Sequence, residues 1–283
     1  MLRAAAGNLS ITLEKLAMRF FLQFGNWLSL ALIGLTLGAS AASAADLVLA
    51  DGRIFPGQLW HSRAGSPERL LLRREAQPNA AYPQAVMKLA QVAVGPDDKI
   101  YYASGLDGYV FHLLDDRNEV LSFEFPGQVR DLACGDEPHT VYFSVVPTPQ
   151  NGEPLADGKI YRRDLWAGQP TEIATVRQHE VGGNWWGAIA VRGDLIYVAT
   201  FEDASRVFKL TSNGPEQIGT SAGFRIHGFN AARDGSFYLA DGTSNIARTT
   251  DFQSFASVFR GERPFTGVAV LTPRPLNTNE PAK

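Results

Sequence analysis

Cationic and aromatic residues recur in short segments of this chain, each followed by small apolar residues. Four segments read GQVRDLA, GGNWWGA, FRIHGFN and ERPFTGV, and a fifth, QAVMKLA, contains Lys88. A guanidinium binds a carboxylate or a phosphate through paired hydrogen bonds, and an indole stacks on a ring, a sugar face or a cation. If the segments converge, they could bind a small polar or anionic ligand. The candidate ligand-binding residues are Arg130, Asp131, Trp185, Trp186, Arg225, His227 and Arg263, together with Glu202 from another connection.

The aromatic candidates also have a structural interpretation. Adjacent residues of an extended segment point to opposite sides, so one of Trp185 and Trp186 belongs to the core and at most one to a ligand site. The sequence alone does not say which. His227 is a general base or metal ligand, or it is hydrogen-bonded within the fold. The other four histidines lie outside equivalent segments, so we do not expect a multi-histidine metal site.

The charged candidates carry the same two interpretations. Asp131 is a catalytic or cation-binding carboxylate, or it pairs with Arg130 and braces neighbouring parts of the fold. Arg225 and Arg263 clamp an anionic group, or they are solvated loop charges. Glu202 is not beside a turn glycine, so turn geometry alone does not explain it.

Composition and motifs exclude several function classes. The formal net charge of -3 gives no basic face for nucleic acid. The sequence contains no G-x-S-x-G elbow, P-loop, dinucleotide fingerprint or CxxC pair, which argues against serine hydrolase, nucleotide and redox roles. Cys134 is the only cysteine, so an intramolecular disulfide is impossible.

A repeated phrase indicates which elements position these segments. Tyr101, Tyr142, Tyr197 and Tyr238 lie in similar aromatic strands and are separated by 41, 55 and 41 residues. A period near 40, with about four strands in each unit, is typical of the blades of a β-propeller. A turn-rich insertion at Pro147–Gly158 explains the longer gap. We therefore predict an all-β propeller in which each segment leads into the innermost strand of a blade.

The two ends of the chain predict how the ring closes. FTGVAVL at Phe265 resembles the inner strand of a blade, but no further strands follow it. LVLADGRIFPGQL at Leu47 resembles the second and third strands of a blade, but no inner strand precedes them. Together they complete one blade, which gives five blades and removes the open sheet edge. Six blades stay possible because Ser62–Ala90 could contain further strands. A separate hairpin outside the ring is the alternative for the first segment.

The phrases VAVGPDDKIYYASGLDGYVFHL and NAARDGSFYLADGTSNIART resemble the propellers of the NHL-type and gluconolactonase (senescence-marker-protein)-like superfamily. The gluconolactonase branch holds a divalent, calcium-like cation in its central channel with Glu, Asn, Asn and Asp. In this sequence the resemblance points to Asn184, Asn230, Asp131 and Glu202 as metal ligands. It implies a metal-dependent lactonase or hydrolase as the alternative to a ligand-binding or protein-binding module. Whether the chain is an enzyme is left open, as is a purely structural role in the envelope.

The first 44 residues are predicted to be a secretory signal peptide. Trp27–Ala39 is an uncharged apolar stretch, and Ala42-Ser43-Ala44 is a small-residue site with cleavage expected before Ala45. A membrane anchor is the alternative, although thirteen residues are too few for a span of about 20. Met18 could be the true start. We expect one propeller domain over residues 45–272, a Pro-rich tail over 273–283, and a monomer exported to the periplasm or the outside of the cell. Its partner would be a small polar or anionic ligand, or a protein or peptide.

Overall fold

A computed structural model describes residues 45–51, 58–63, 69–73, 89–104, 108–114, 119–150, 153–166 and 168–271. The predicted signal peptide, the C-terminal tail and Lys88 lie outside these residues. Within them, no helix is long and apolar enough to cross a membrane.

The described residues form twenty strands and one short helix. The strands are β1 (Asp46–Asp51), β2 (Gln58–Ser62), β3 (Arg69–Arg73), β4 (Leu89–Val94), β5 (Ile100–Ser104), β6 (Tyr109–Leu113), β7 (Glu119–Glu124), β8 (Val129–Cys134), β9 (Thr140–Val145), β10 (Gly158–Asp164), β11 (Thr171–Val176), β12 (Ile189–Arg192), β13 (Leu195–Ala199), β14 (Arg206–Thr211), β15 (Gly214–Thr220), β16 (Gly228–Ala231), β17 (Phe237–Ala240), β18 (Asn245–Thr249), β19 (Ala256–Arg260) and β20 (Gly267–Leu271). The helix, α1, spans Gln178–Val181.

These strands form five antiparallel, four-stranded sheets, which are the blades of a propeller. Blade 1 contains β4–β7, blade 2 contains β8–β11, blade 3 contains β12–β15 and blade 4 contains β16–β19. The closing blade has the order β20-β1-β2-β3, so it takes strands from both ends of the chain. The prediction of five blades closed by both termini is confirmed. The segment that could have contained a sixth blade supplies β3, the outer strand of the closing blade.

The register shows why small residues stand on the inner strands. Ala93, Ala133 and Ala190 each lie opposite the tyrosine of the next strand, as expected where inner strands crowd the axis. In blade 4 the residue opposite Tyr238 is Asn230. The inner strand of blade 4 therefore carries an amide where the other blades carry a methyl group.

The core is divided among the interfaces between neighbouring blades. Successive strand residues face opposite sides, so Tyr101 packs between blades 1 and 2 while Tyr102 packs between blade 1 and the closing blade. Five such clusters follow one another around the ring. Burial of one large apolar side chain stabilises a fold by roughly 1.5–3 kcal/mol. Each blade is thus held by its two neighbours.

Candidate ligand-binding site

Three of the segments that precede the inner strands, GQVRDLA, GGNWWGA and FRIHGFN, meet at one mouth of the channel. A cleft of about 310 Å³ opens there, which we call the upper cleft. Four of the predicted ligand-binding residues line it, and five further residues complete its wall. The lining residues are Gln91, Arg130, Asp131, Trp186, Ala188, Ala199, Phe201, Ile226 and His227.

The structure separates the two tryptophans. Trp185 is 0% exposed and packs between blades 2 and 3, where its Nε1 donates a hydrogen bond to the carbonyl oxygen of Ala188 at 3.0 Å. Trp186 is 41% exposed and lines the upper cleft. Trp185 is therefore a core residue, and Trp186 exposes its side chain at the upper cleft.

Gln178 fixes this arrangement, although sequence reasoning did not single it out. Its Oε1 accepts a hydrogen bond from the backbone N–H of Trp185 at 3.0 Å, and its Nε2 donates to the Trp185 carbonyl oxygen at 2.8 Å. The same Nε2 donates to the carbonyl oxygen of Ala156, inside the turn-rich insertion. The backbone N–H of Gln178 donates to Asp157. The insertion thus helps to orient the wall of the upper cleft.

Arg130 places a positive charge on the cleft. Its Nε donates to the carbonyl oxygen of Val146 at 3.1 Å, and Nη2 donates to Oγ1 of Thr148 at 2.9 Å. No salt bridge joins Arg130 to a carboxylate within the described part of the chain. Burial lowers the pKa of the guanidinium, yet an arginine stays charged at neutral pH. The residue is held in place by neutral partners, so its positive charge is not neutralised by a carboxylate among the described residues.

Asp131 braces neighbouring blades. Its side chain is buried, and its two oxygens accept hydrogen bonds from the backbone N–H groups of Leu132 at 2.8 Å and Ile189 at 2.7 Å. Burial raises the pKa of this carboxyl, and the two backbone hydrogen bonds oppose that effect. The partners of Asp131 are thus amides on β8 and β12, and not Arg130.

Phe201 and His227 form the opposite wall. Their rings meet edge to face with centroids 4.8 Å apart. The backbone N–H of Phe201 donates to the carbonyl oxygen of Asn184 at 2.7 Å, which ties the two loops together. Phe201 was not among the predicted residues because it follows a second strand and has no polar group to mark it.

The remaining candidates lie outside the lining of the cleft. Arg225 packs on the outer side of Phe201, 5.5 Å from the ring centroid, and its Nε binds Asp203 at 2.8 Å. Arg263 covers the ring of Trp60 in the closing blade at 3.8 Å. Glu202 accepts two hydrogen bonds from the Arg206 guanidinium at 2.7 and 2.9 Å.

The four oxygen-bearing candidates for a metal do not form one site. Asn230 lines a smaller cavity of about 50 Å³ at the opposite end of the channel, and Asn184 is exposed at the upper mouth. Glu202 is paired with Arg206, and both oxygens of Asp131 are bound to backbone amides. Within the described residues, no group of three or more His, Cys, Asp or Glu could hold a metal ion. This donor set does not fit a divalent cation.

Comparison with known proteins gives a similarity of fold. No protein-family profile and no curated protein sequence matches the chain. Among solved structures, a gluconolactonase from Xanthomonas campestris aligns with a TM-score of 0.51 and 10% identity, covering 79% of each chain. A structural-genomics target assigned as a gluconolactonase aligns with a TM-score of 0.47 and 9% identity, over 80% of this chain and 82% of the other. The chain is a five-bladed β-propeller, and its fold is similar to that of the X. campestris gluconolactonase.

Proposed function

We propose that the upper cleft binds a small organic anion that has a flat or ring-shaped apolar face, such as a sugar acid. One observation carries the proposal: the Arg130 guanidinium, the Trp186 indole and the Phe201 ring line the same cleft. A guanidinium recognises a carboxylate, and an indole covers the ring beside it. A volume of about 310 Å³ suits a ligand at the small end of the usual range.

The expected affinity is modest. A hydrogen bond to a charged group contributes roughly 1.5–3 kcal/mol, and stacking on an aromatic ring adds about 0.5–1.5 kcal/mol. Two charge-assisted hydrogen bonds and one stacked ring, with the apolar area they cover, support a micromolar Kd, which corresponds to about 8 kcal/mol. We expect the protein to act on this ligand in the periplasm or outside the cell, after removal of the predicted signal peptide.

A lactonase is the second candidate, and the comparisons favour it over a protein-binding module. The X. campestris structure that shares the fold is described as a gluconolactonase. A lactone is the cyclic ester of a sugar acid, so the same cleft could receive both compounds. Hydrolysis would add one water and release the acid with one proton. The four metal ligands that the resemblance implied do not converge: Asn230 lies at the other end of the channel, and the carboxylates of Asp131 and Glu202 already have partners.

The test uses sodium D-gluconate, other sugar acids and D-glucono-1,5-lactone with the wild-type protein. Binding of gluconate at 100 times its Kd should raise the melting temperature by about 5–10 °C. Arg130→Met should remove this shift, because the guanidinium is lost while the apolar stem is kept. Arg263→Ala is the matched control, since Arg263 lies on Trp60 outside the cleft. Equal loss of the shift in both variants, or no shift with any acid, would refute the proposal.

Catalysis is measured separately, by titrating the acid released from the lactone. A rate above the spontaneous one that disappears in Arg130→Met and persists after treatment with EDTA supports a lactonase at this cleft. Gluconate binding without hydrolysis supports a binding protein.

A further inference from the structure

The side chain of Gln91, which lines the upper cleft, binds two backbone carbonyl oxygens from other blades. The Nε2 group of Gln91 donates to the carbonyl oxygen of His227 at 2.7 Å and to that of Thr266 at 2.9 Å. Gln91 itself lies on the inner strand of blade 1 and is only 8% exposed. One amide group therefore joins the inner strand of blade 1 to the entries of blade 4 and of the closing blade.

The oxygens around the Gln91 amide, from backbone carbonyls and from the Asp131 carboxylate, are of the kind that bind a hard cation. Calcium and similar ions take backbone carbonyls and carboxylates as ligands. Here the carbonyls of His227 and Thr266 receive N–H donors from Gln91, and the carboxylate of Asp131 receives two backbone N–H donors. We propose that the Gln91 amide occupies the place of a channel cation, so that the ring is closed without a metal.

Two glycines provide the room for this amide. At the layer of Gln91, the facing residues on β16 and β20 are Gly228 and Gly267. A Cβ added to Gly228 would lie 2.6 Å from Oε1 of Gln91, and one added to Gly267 would lie 2.7 Å from the same atom. Both distances are shorter than non-bonded contacts allow. A side chain at Gly267 would therefore meet the Gln91 amide first, and one at Gly228 would meet both this amide and the backbone oxygen of Thr266.

The charge of the surroundings supports the same conclusion. Arg130 and Asp131 line the upper cleft together with Gln91. A divalent cation in this layer would face the arginine, and it would compete with N–H groups for every oxygen just named. The neutral amide satisfies the two carbonyls without adding charge beside Arg130. This inference is independent of the ligand that the cleft binds.

The experiment compares the wild-type chain with Gln91→Glu and Gln91→Ala. In the wild type, EDTA and calcium chloride should each leave the melting temperature unchanged, and the purified protein should carry no stoichiometric metal. Gln91→Glu replaces the donor by a carboxylate beside two carbonyl oxygens. We expect it to melt below the wild type in EDTA and to gain about 5–10 °C at 100 times its calcium Kd.

Gln91→Ala is the control, because it removes the amide without supplying a ligand. It should melt below the wild type and should not respond to calcium. A wild-type melting temperature that falls in EDTA and is restored by calcium would overturn the proposal, as would stoichiometric metal in the purified protein. A folded Gln91→Glu variant that does not respond to calcium would also overturn the proposal, because the Gln91 amide would then not stand where a cation could bind. If the Gln91→Glu variant does not fold, the wild type alone tests the proposal: it must contain no stoichiometric metal, and its melting temperature must not change in EDTA.

Discussion

Substitution of the two adjacent tryptophans is predicted to separate stability from ligand binding. Trp185 is completely buried between blades 2 and 3, and its indole N–H donates to the Ala188 carbonyl. Trp186 is 41% exposed and lines the upper cleft. The two variants Trp185→Ala and Trp186→Ala remove the same side chain from neighbouring positions, so each is the matched control of the other.

The expected magnitudes follow from burial. Truncation of a buried tryptophan costs about 3–5 kcal/mol, and the upper part of this range applies to Trp185 because the Ala188 carbonyl also loses its indole donor. For Trp186 we expect a loss of about 1–2 kcal/mol, since water fills the space left in an open cleft and no internal cavity forms. The difference between the two free energies of unfolding should therefore be about 2 kcal/mol or more.

Urea unfolding gives the free energies, and calorimetric titration with gluconate gives the affinities. Trp186→Ala should weaken binding by about tenfold through the loss of stacking. Trp185→Ala should bind with little change wherever it remains folded. Equal losses of stability, or an unchanged affinity in Trp186→Ala, would refute the assignment of one tryptophan to the core and the other to the ligand.

Three further predictions concern the groups around the cleft. Gln178→Ala should lower the free energy of unfolding by about 1–3 kcal/mol, because the buried N–H and carbonyl of Trp185 lose their partners. It should also weaken gluconate binding. Urea unfolding measures the first effect and calorimetry the second. Asp131→Asn should cost about 1–3 kcal/mol in the same unfolding assay, since the amide can accept only one of the two buried backbone N–H groups without bringing two donors together. Gly267→Ala should lower the melting temperature by at least as much as Gln91→Ala, because the added Cβ displaces the amide that it contacts, and a wild-type melting temperature would contradict the close packing.

The blades could be predicted because a propeller repeats its register. In blades 1 to 3 the second strand places a tyrosine opposite an alanine of the inner strand, so Tyr101, Tyr142 and Tyr197 appear at similar positions of successive units. Closure was predictable for the same reason, since the first and last segments each contain part of that unit. The convergence of the segments before the inner strands followed from the ring itself, and it brought Arg130, Trp186 and their neighbours together.

The orientation of individual side chains could not be predicted in the same way. The alternation of side chains along an extended segment predicts that Trp185 and Trp186 point to opposite sides, but it does not predict which one is buried. In the structure, the Gln178 side chain forms two hydrogen bonds with the backbone of Trp185, the buried residue. The partners of Gln91 lie 136 and 175 residues away in the sequence. Such contacts depend on the closed ring, and no local pattern records them.

The position of the upper cleft depends on the side chains at the starts of the inner strands. At or directly before the start of the five inner strands, the equivalent positions hold Gln91, Asp131, Ala188, Gly228 and Gly267. Gln91 crosses toward the two glycines and fills the side of the channel next to blade 4 and the closing blade. The space that remains lies beside the axis, against the small side chain of Ala188, where Arg130 and Trp186 border it. If the cleft binds an anion as proposed, the Gln91 amide leaves it only the side of the channel that Arg130 and Trp186 border.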